Sequence, residues 1–216
     1  SSGFKEKSLL KAKKIMSISQ SIRESMEKGS WIRQMFEAGA RLKAEHGAEN
    51  VFDFSLGNPI LEPPKQVHEQ LRLLLDNPED GMHRYMPNAG FEETREFIAG
   101  VMRDETGHPF SSQDVVMCVG AGGGLNVVFK ALLEAGDEVL ALTPYFVEYG
   151  AYVQNHGGRL TLAQTTAEFQ PDLDSIETSL SEQTKIVIIN SPNNPTGAVY
   201  SQQTLDELAE LLLRKE

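Results

Sequence analysis

The sequence predicts an α/β fold, three layers deep, with helices on both faces of a mostly parallel sheet. Three observations carry that expectation. Apolar, β-branched runs of strand length recur from residue 114 onward, and helical periodicity fills the intervals between them. Strand, glycine-rich turn, helix and strand fit into about thirty residues at 114–143, the size of one right-handed βαβ unit. The alternation then continues along the chain, which argues for parallel strands covered on both sides.

The elements follow in order. Ile22, Met26, Trp31, Ile32, Met35, Phe36 and Leu42 recur mostly at three- and four-residue spacing. They predict helix over 19–46, broken near Gly29 and ended by Gly47, with Trp31 packing in the apolar stripe. Residues 52–59 read as an extended stretch entering a loop. Pro63 and Pro64 open a helix through Leu75, since proline suits a first turn, and Asn77-Pro78 stops it. Residues 80–90 are irregular and 91–104 helical. The run 114–119 predicts a short buried strand with Cys118 as a small core side chain, 120–124 a glycine loop, and 125–134 a helix closed by Gly136. Further strands are expected at 138–143, 159–163 and 185–190, with helical segments at 145–156, 172–180 and 201–214.

The chain has 216 residues, enough for one large domain or one plus a piece of another at about 150 residues per domain. Hydrophobic residues make up 40% and charged residues 24%, which excludes a disordered, collagen-like or rod-like chain. The net charge of −11 argues against phosphate-backbone binding, so no nucleic-acid partner is expected. No apolar run approaches the ~20 residues of a bilayer span, so no membrane partner is expected either. The lone Cys118 excludes a disulfide framework and a Cys-based zinc site, and a reducing compartment, the cytoplasm, is the simplest home. Five lysines against one glutamate set residues 1–15 apart. They read as a tag, leader or upstream extension, the alternative being a basic helix on an anionic surface. The five histidines, His46, His68, His83, His108 and His156, show no metal-ligand spacing and are expected at the surface or in loops.

Chemistry concentrates in three places, each at the end of an expected strand. Gly120-Ala-Gly-Gly-Gly124 lies between a strand and a helix, where backbone N–H groups and the helix N-terminus favour an anion such as a phosphate. A dinucleotide fingerprint is excluded because Leu125 stands where glycine or alanine is required, and a Walker A loop because no Gly-Lys-Ser/Thr follows. Glycines that only make a tight turn are the alternative. Pro144-Tyr145-Phe146 puts an aromatic face at the carboxyl edge of the sheet, where ligands bind, and a flat ring there can stack on a flat heteroaromatic ligand or simply join the core. Asn190-Ser-Pro-Asn-Asn194-Pro195-Thr-Gly197 forms a tight loop at the same edge, and an Asn amide there can donate to a phenolate or carboxylate.

With these motifs the chain resembles the class I/II pyridoxal-phosphate aminotransferases of fold type I. Gly57 in Ser-Leu-Gly-Asn-Pro, Tyr85 in Arg-Tyr-Met-Pro-Asn-Ala-Gly, the glycine stretch before Gly136-Asp-Glu-Val, Pro144-Tyr-Phe146, and Asn194-Pro-Thr-Gly occur in the family's order and spacing. The resemblance covers 49–216, the N-terminal part of the family's cofactor-binding large domain, and 16–48 fits its helical N-terminal arm. It implies that the backbone amides of Ala121 and Gly122 cradle the phosphate of pyridoxal 5'-phosphate and that Phe146 stacks on its pyridine ring. Asn194 then donates to the ring oxygen and helps hold the substrate carboxylate, near which Gly57 offers its backbone. Tyr85 reaches the phosphate of a neighbouring subunit, making the enzyme a homodimer. The peptide bonds before Pro144 and Pro195 are expected to be cis. The implied reaction transfers an amino group between an amino acid and a 2-oxo acid.

Four groups that the family's chemistry needs lie beyond the Asn-Pro-Thr-Gly loop in that family. These are the lysine that bonds the cofactor, an aspartate at the pyridine nitrogen, a tyrosine at the ring oxygen and an arginine for the α-carboxylate. Lys185 and Lys215 are no substitutes, so no catalytic residue is assigned within these residues. The family's sheet also sets three later strands between 114–119 and the others. The expectation is therefore an incomplete fold and a fragment inactive alone. The alternatives are a catalytically dead phosphate-binding or interaction fragment, or lyase, decarboxylase or synthase chemistry on the same scaffold.

Overall fold

The computed structural model describes residues 18–28, 30–54 and 61–215. These fall into two compact units, one ending at Met82 and the other starting at His83.

The first unit is helical. Helix α1 spans Gln20–Lys28 and α2 spans Ser30–His46. They meet beside Gly29, as the sequence predicts, while Gly29 itself and the Trp31 side chain lie outside the described residues. Gly47 follows α2, and its N–H closes on the Lys43 carbonyl at 3.0 Å. Helix α3 covers Lys65–Asp76 with Pro64 as its N-cap, one position earlier than a first-turn proline. The Asn77 N–H caps its other end on the Leu73 carbonyl at 3.0 Å.

The second unit carries the sheet. Helix α4, Glu92–Thr106, starts with Glu92 and Glu93 and ends with Arg103, charges that suit the two ends of the helix dipole. Gly107 stops it in the left-handed region (φ 72°), where glycine avoids the Cβ clash. Arg95 donates to the Ser112 carbonyl at 2.6 Å, and Glu96 accepts from the Ser112 N–H at 3.0 Å, tying the following loop back to the helix.

Residues 115–119 correct the sequence expectation. They are extended but belong to no strand, and Val116, Met117 and Val119 are exposed. The Met117 N–H reaches only the Ala89 carbonyl, at 2.9 Å. β-branched composition gives a strand only where a neighbour pairs with it, and no described strand does so here. Cys118 is likewise exposed rather than buried. A second correction follows at once. The glycines at 120–124 are not a loop but the opening of helix α5, Gly120–Leu132.

Strand β1, Glu138–Leu142, is buried along its whole length. It pairs in parallel with β2, Arg159–Ala163, on one side and with β3, Thr184–Ile188, on the other, giving the order β2-β1-β3. Helix α6, Tyr149–Asn155, connects β1 to β2, and α7, Leu173–Ser179, connects β2 to β3. Helix α8, Gln202–Leu213, follows the loop after β3. Asp172 and Ser201 cap α7 and α8, accepting from the N–H groups of Ser175 and Thr204 at 3.0 and 3.1 Å.

Alternation along β1 sorts the core into two layers. Val139 packs with Phe129, Leu133 and Val153 of the α5–α6 side. Leu140 and Leu142 pack with Ile176, Tyr200, Leu208 and Leu211 of the α7–α8 side. The result is the three-layer α/β/α arrangement that the periodicity predicts, with its observed strands all parallel. Glu138 opens β1 and is buried. Its carboxylate pairs with Arg159 and accepts from the Ser181 hydroxyl at 2.7 Å, so one side chain joins the starts of all three strands.

Leu140 is fully buried whereas Val128 on α5 is exposed. Leu140→Ala is expected to cost about 2–5 kcal/mol in urea unfolding and Val128→Ala less than about 0.5. Equal losses would contradict the assignment of β1 as the centre of the core.

Candidate functional site

Parallel β1 and β3 end at the same edge of the sheet, so the loops that leave them emerge side by side. The first leaves after Leu142. Thr143 keeps the β1–β2 ladder going for one more residue, its N–H donating to the Ala163 carbonyl at 2.9 Å, while its own carbonyl accepts from the Thr165 hydroxyl at 2.8 Å. The Thr143–Pro144 peptide is cis, as expected. Phe146 follows, half-buried, and the Tyr149 ring stands edge-on to it with centroids 5.6 Å apart and planes at 78°. Tyr145 stacks on Tyr149 in turn, at 6.4 Å. The Phe146 ring is therefore braced by an aromatic group at its edge.

The second loop is built around Asn193, which is buried. Its carbonyl accepts from the Gly197 N–H at 2.7 Å, and its N–H donates to the Ala198 carbonyl at 2.8 Å. Its side-chain oxygen accepts from the Thr196 hydroxyl at 2.9 Å, and its amide donates to the Tyr200 hydroxyl at 3.3 Å. Burial pushes the Tyr200 phenol upward, and the hydrogen bond from Asn193 offsets part of that shift. With Asn193 turned inward, Asn194 is turned outward. Its N–H donates to the Asn190 side-chain oxygen at 2.9 Å, and no described residue partners its side-chain amide. Asn194–Pro195 is cis as expected, and Ser191–Pro192 is cis as well.

The third part is the start of α5. Gly120 takes φ 67°, a left-handed conformation that suits glycine. The preceding Val119 gives no side-chain cap, and the first turn holds no acidic residue. The leading N–H groups of a helix have no partner within it, so this end presents free donors and a partial positive charge. Packing of Phe129 and Leu133 against Val139 fixes where that end falls.

Ala121, Gly122, Phe146 and Asn194 line one cavity of about 400 Å³ together with Leu125, Tyr149, Tyr152 and Asn190. Four residues named from sequence thus meet in one place although about seventy positions separate the first from the last. Tyr85 is fully exposed and does not line this cavity. Gly57 lies outside the described residues. Tyr149, Tyr152 and Leu125 were not singled out in sequence. Tyr149 and Tyr152 are three residues apart on α6 and so neighbours on that helix, a spacing that reads equally well as packing. Among the described residues no group of His, Cys, Asp and Glu could hold a metal, and no helix is long and apolar enough to cross a membrane. Of the five histidines, His156 is half-buried, its Nε2 lying 3.0 Å from the side-chain oxygen of Asn126.

The architecture and the cavity together define an α/β protein with an anion-ready helix end, an aromatic wall and an outward amide on one rim. Residues 49–216 match the profile of the family described as aminotransferase class I and II, and the chain belongs to that family. It is 36% identical over 162 residues to an aspartate/prephenate aminotransferase of Thermus thermophilus, covering 74% of this chain and 41% of that protein. A solved aminotransferase from Eubacterium rectale superposes with a TM-score of 0.87 at 37% identity, covering 93% of this chain and 51% of that one. An alanine aminotransferase from Pyrococcus furiosus gives 0.76 at 27% identity, covering 85% and 47%. The chain thus spans about half the length of the relatives it matches. The solved relatives share its parallel sheet and helices, so the fold is that of fold type I over part of the large domain.

Asn193 holds the loop through five hydrogen bonds, three of them through its side chain. Asn193→Ala is expected to lower stability by about 1–3 kcal/mol in urea unfolding, while exposed Val199→Ala stays within about 0.5. An Asn193→Ala protein as stable as the parent would remove Asn193 as the support for Asn194.

Proposed function

We propose that this chain supplies the phosphate, ring and carboxylate contacts of a pyridoxal-phosphate-dependent aminotransferase acting on an amino acid and a 2-oxo acid. The observation that carries it is the meeting of Ala121, Gly122, Phe146 and Asn194 on one cavity. Those residues suit the cofactor's three kinds of surface. The free amides of the α5 first turn, with no carboxylate on that turn, suit a phosphate dianion. Phe146, braced by Tyr149, offers a face to a planar heteroaromatic ring. The outward amide of Asn194 suits an anionic ring oxygen and a substrate carboxylate. When bound, pyridoxal phosphate supplies an electron-withdrawing ring that stabilises negative charge at the Cα of an amino acid joined to it.

The chain's own part is placement. The amides of Ala121 and Gly122 anchor one end of the ligand, and Phe146 holds its plane. The Asn190 side-chain oxygen accepts from the Asn194 N–H and so fixes the backbone from which the Asn194 side chain departs. Leu125 adds an apolar wall. Gly57 is assigned, by the resemblance, a backbone contact to the substrate carboxylate. Tyr85 is assigned the phosphate of a second copy of the chain, and its full exposure supports that homodimeric role.

Among the described residues no lysine lines the cavity. The amine that bonds the cofactor is therefore assigned to the half of the relatives without a counterpart in these 216 residues. The same observation favours a second reading for the isolated segment, a phosphate-binding piece without catalysis.

In the full-length protein, amino-group transfer to a 2-oxo acid is expected, with both products followed by NMR. Release of carbon dioxide or ammonia instead would favour decarboxylase or lyase chemistry and contradict transamination. Asn194→Ala in that protein is expected to weaken cofactor retention and carboxylate binding together, each by roughly tenfold. Unchanged values for both would take Asn194 out of the site.

A further inference from the structure

Position 122 has no side chain, yet the space beside it is filled. A Cβ built on Gly122 would lie 2.8 Å from the Tyr152 hydroxyl oxygen and 3.4 Å from its Cζ. The phenol comes from the neighbouring helix α6, where its ring packs against the Phe129–Val153 cluster, so its reach to Gly122 is set by the core. Tyr152 lines the same cavity as Ala121 and Gly122. Its hydroxyl donates to the Glu148 carboxylate, one helical turn earlier.

We propose that Tyr152 is a further anion contact of this site, its phenolic O–H donating to the phosphate held on the first turn of α5. This rests on the cofactor reading above and adds to it a side-chain donor from α6. Two physical points support it. The amides of the first turn point along the helix axis, and a phosphate held there keeps oxygens free to accept from the side. The phenol stands at that side, in the space where any residue other than glycine would put its Cβ. Glycine at 122 then has a reason beyond backbone freedom, since even alanine would push the phenol away.

Glu148 is the acceptor of this donor in the ligand-free site. Its carboxylate accepts the phenol's hydrogen bond and, with partial desolvation, holds the Tyr152 pKa above the ordinary tyrosine value. It also holds the ring in one orientation while no phosphate is present. On binding, the hydroxyl exchanges one anionic acceptor for another. No covalent bond changes.

The test compares pyridoxal phosphate with pyridoxal, which lacks only the phosphate, on the full-length protein and its Tyr152→Phe variant, by equilibrium dialysis. Phenylalanine keeps the packed ring and removes the donor alone. Tyr152→Phe is expected to bind pyridoxal phosphate about three- to tenfold more weakly and pyridoxal with unchanged affinity, less than one full hydrogen bond to a charged group because the bond to Glu148 is given up when the phosphate bond forms. Equal losses for both ligands would make Tyr152 a packing residue and overturn the proposal, as would no loss for either. If the unaltered protein itself fails to retain pyridoxal phosphate, the cofactor reading falls, and this proposal with it.

Discussion

Burial of β1 on both faces is the interaction on which the rest depends. Five successive residues, Glu138–Leu142, are buried, and their alternation assigns each neighbouring helix to one layer. Val139 holds α5 and α6 through Phe129 and Val153. Leu140 and Leu142 hold α7 and α8 through Ile176, Leu208 and Leu211. Hydrophobic burial has no preferred direction, but strand alternation gives it one. Because β1 and β3 run parallel, the same packing delivers Phe146 and Asn194 to one edge, and the Phe129 contact brings the start of α5 to meet them. The cavity is thus a consequence of the core, made before any ligand contributes.

The electrostatics of the site run against those of the whole molecule. A chain with a net charge of −11 is a poor general host for anions. The proposed anion site is local: uncapped amides at a helix start and no carboxylate on that turn, with Asn194 and Tyr152 on the rim as the proposed neutral donors. Glu148, the nearby anion, accepts from the Tyr152 hydroxyl in the ligand-free site, the bond that the proposed phosphate contact would replace. Neutral donors suit a ligand that must be held firmly at its phosphate while its ring takes part in chemistry.

Much of this was legible in the residues, and the failures share a cause. The strands at 138–142, 159–163 and 184–188 could be placed because apolar composition, turn residues and helical intervals agreed. Val115 to Val119 have the same composition and form no strand, because pairing belongs to two segments and sequence reports only one. Cys118 is exposed for that same reason. Gly120 to Gly124 read as a loop because glycine is a weak helix former, yet Leu125, Phe129 and Leu133 draw the whole stretch into α5 by packing on the sheet. The Asn-Pro loop after a strand marked this segment, but only the family resemblance picked Asn194 from its asparagines, and the supporting role of Asn193 could not be read without coordinates. Tyr152 was hidden differently: an aromatic residue on a helix reads as packing, and only the close approach of its hydroxyl to Gly122 singles it out.

The most direct measurement is a crystal structure of the full-length protein grown with pyridoxal phosphate. The account requires the phosphate within hydrogen-bond distance of the Ala121 and Gly122 amides, the pyridine ring against Phe146, and the ring oxygen on Asn194. A phosphate bound elsewhere, or a ring that leaves Phe146 and Asn194 untouched, would contradict it.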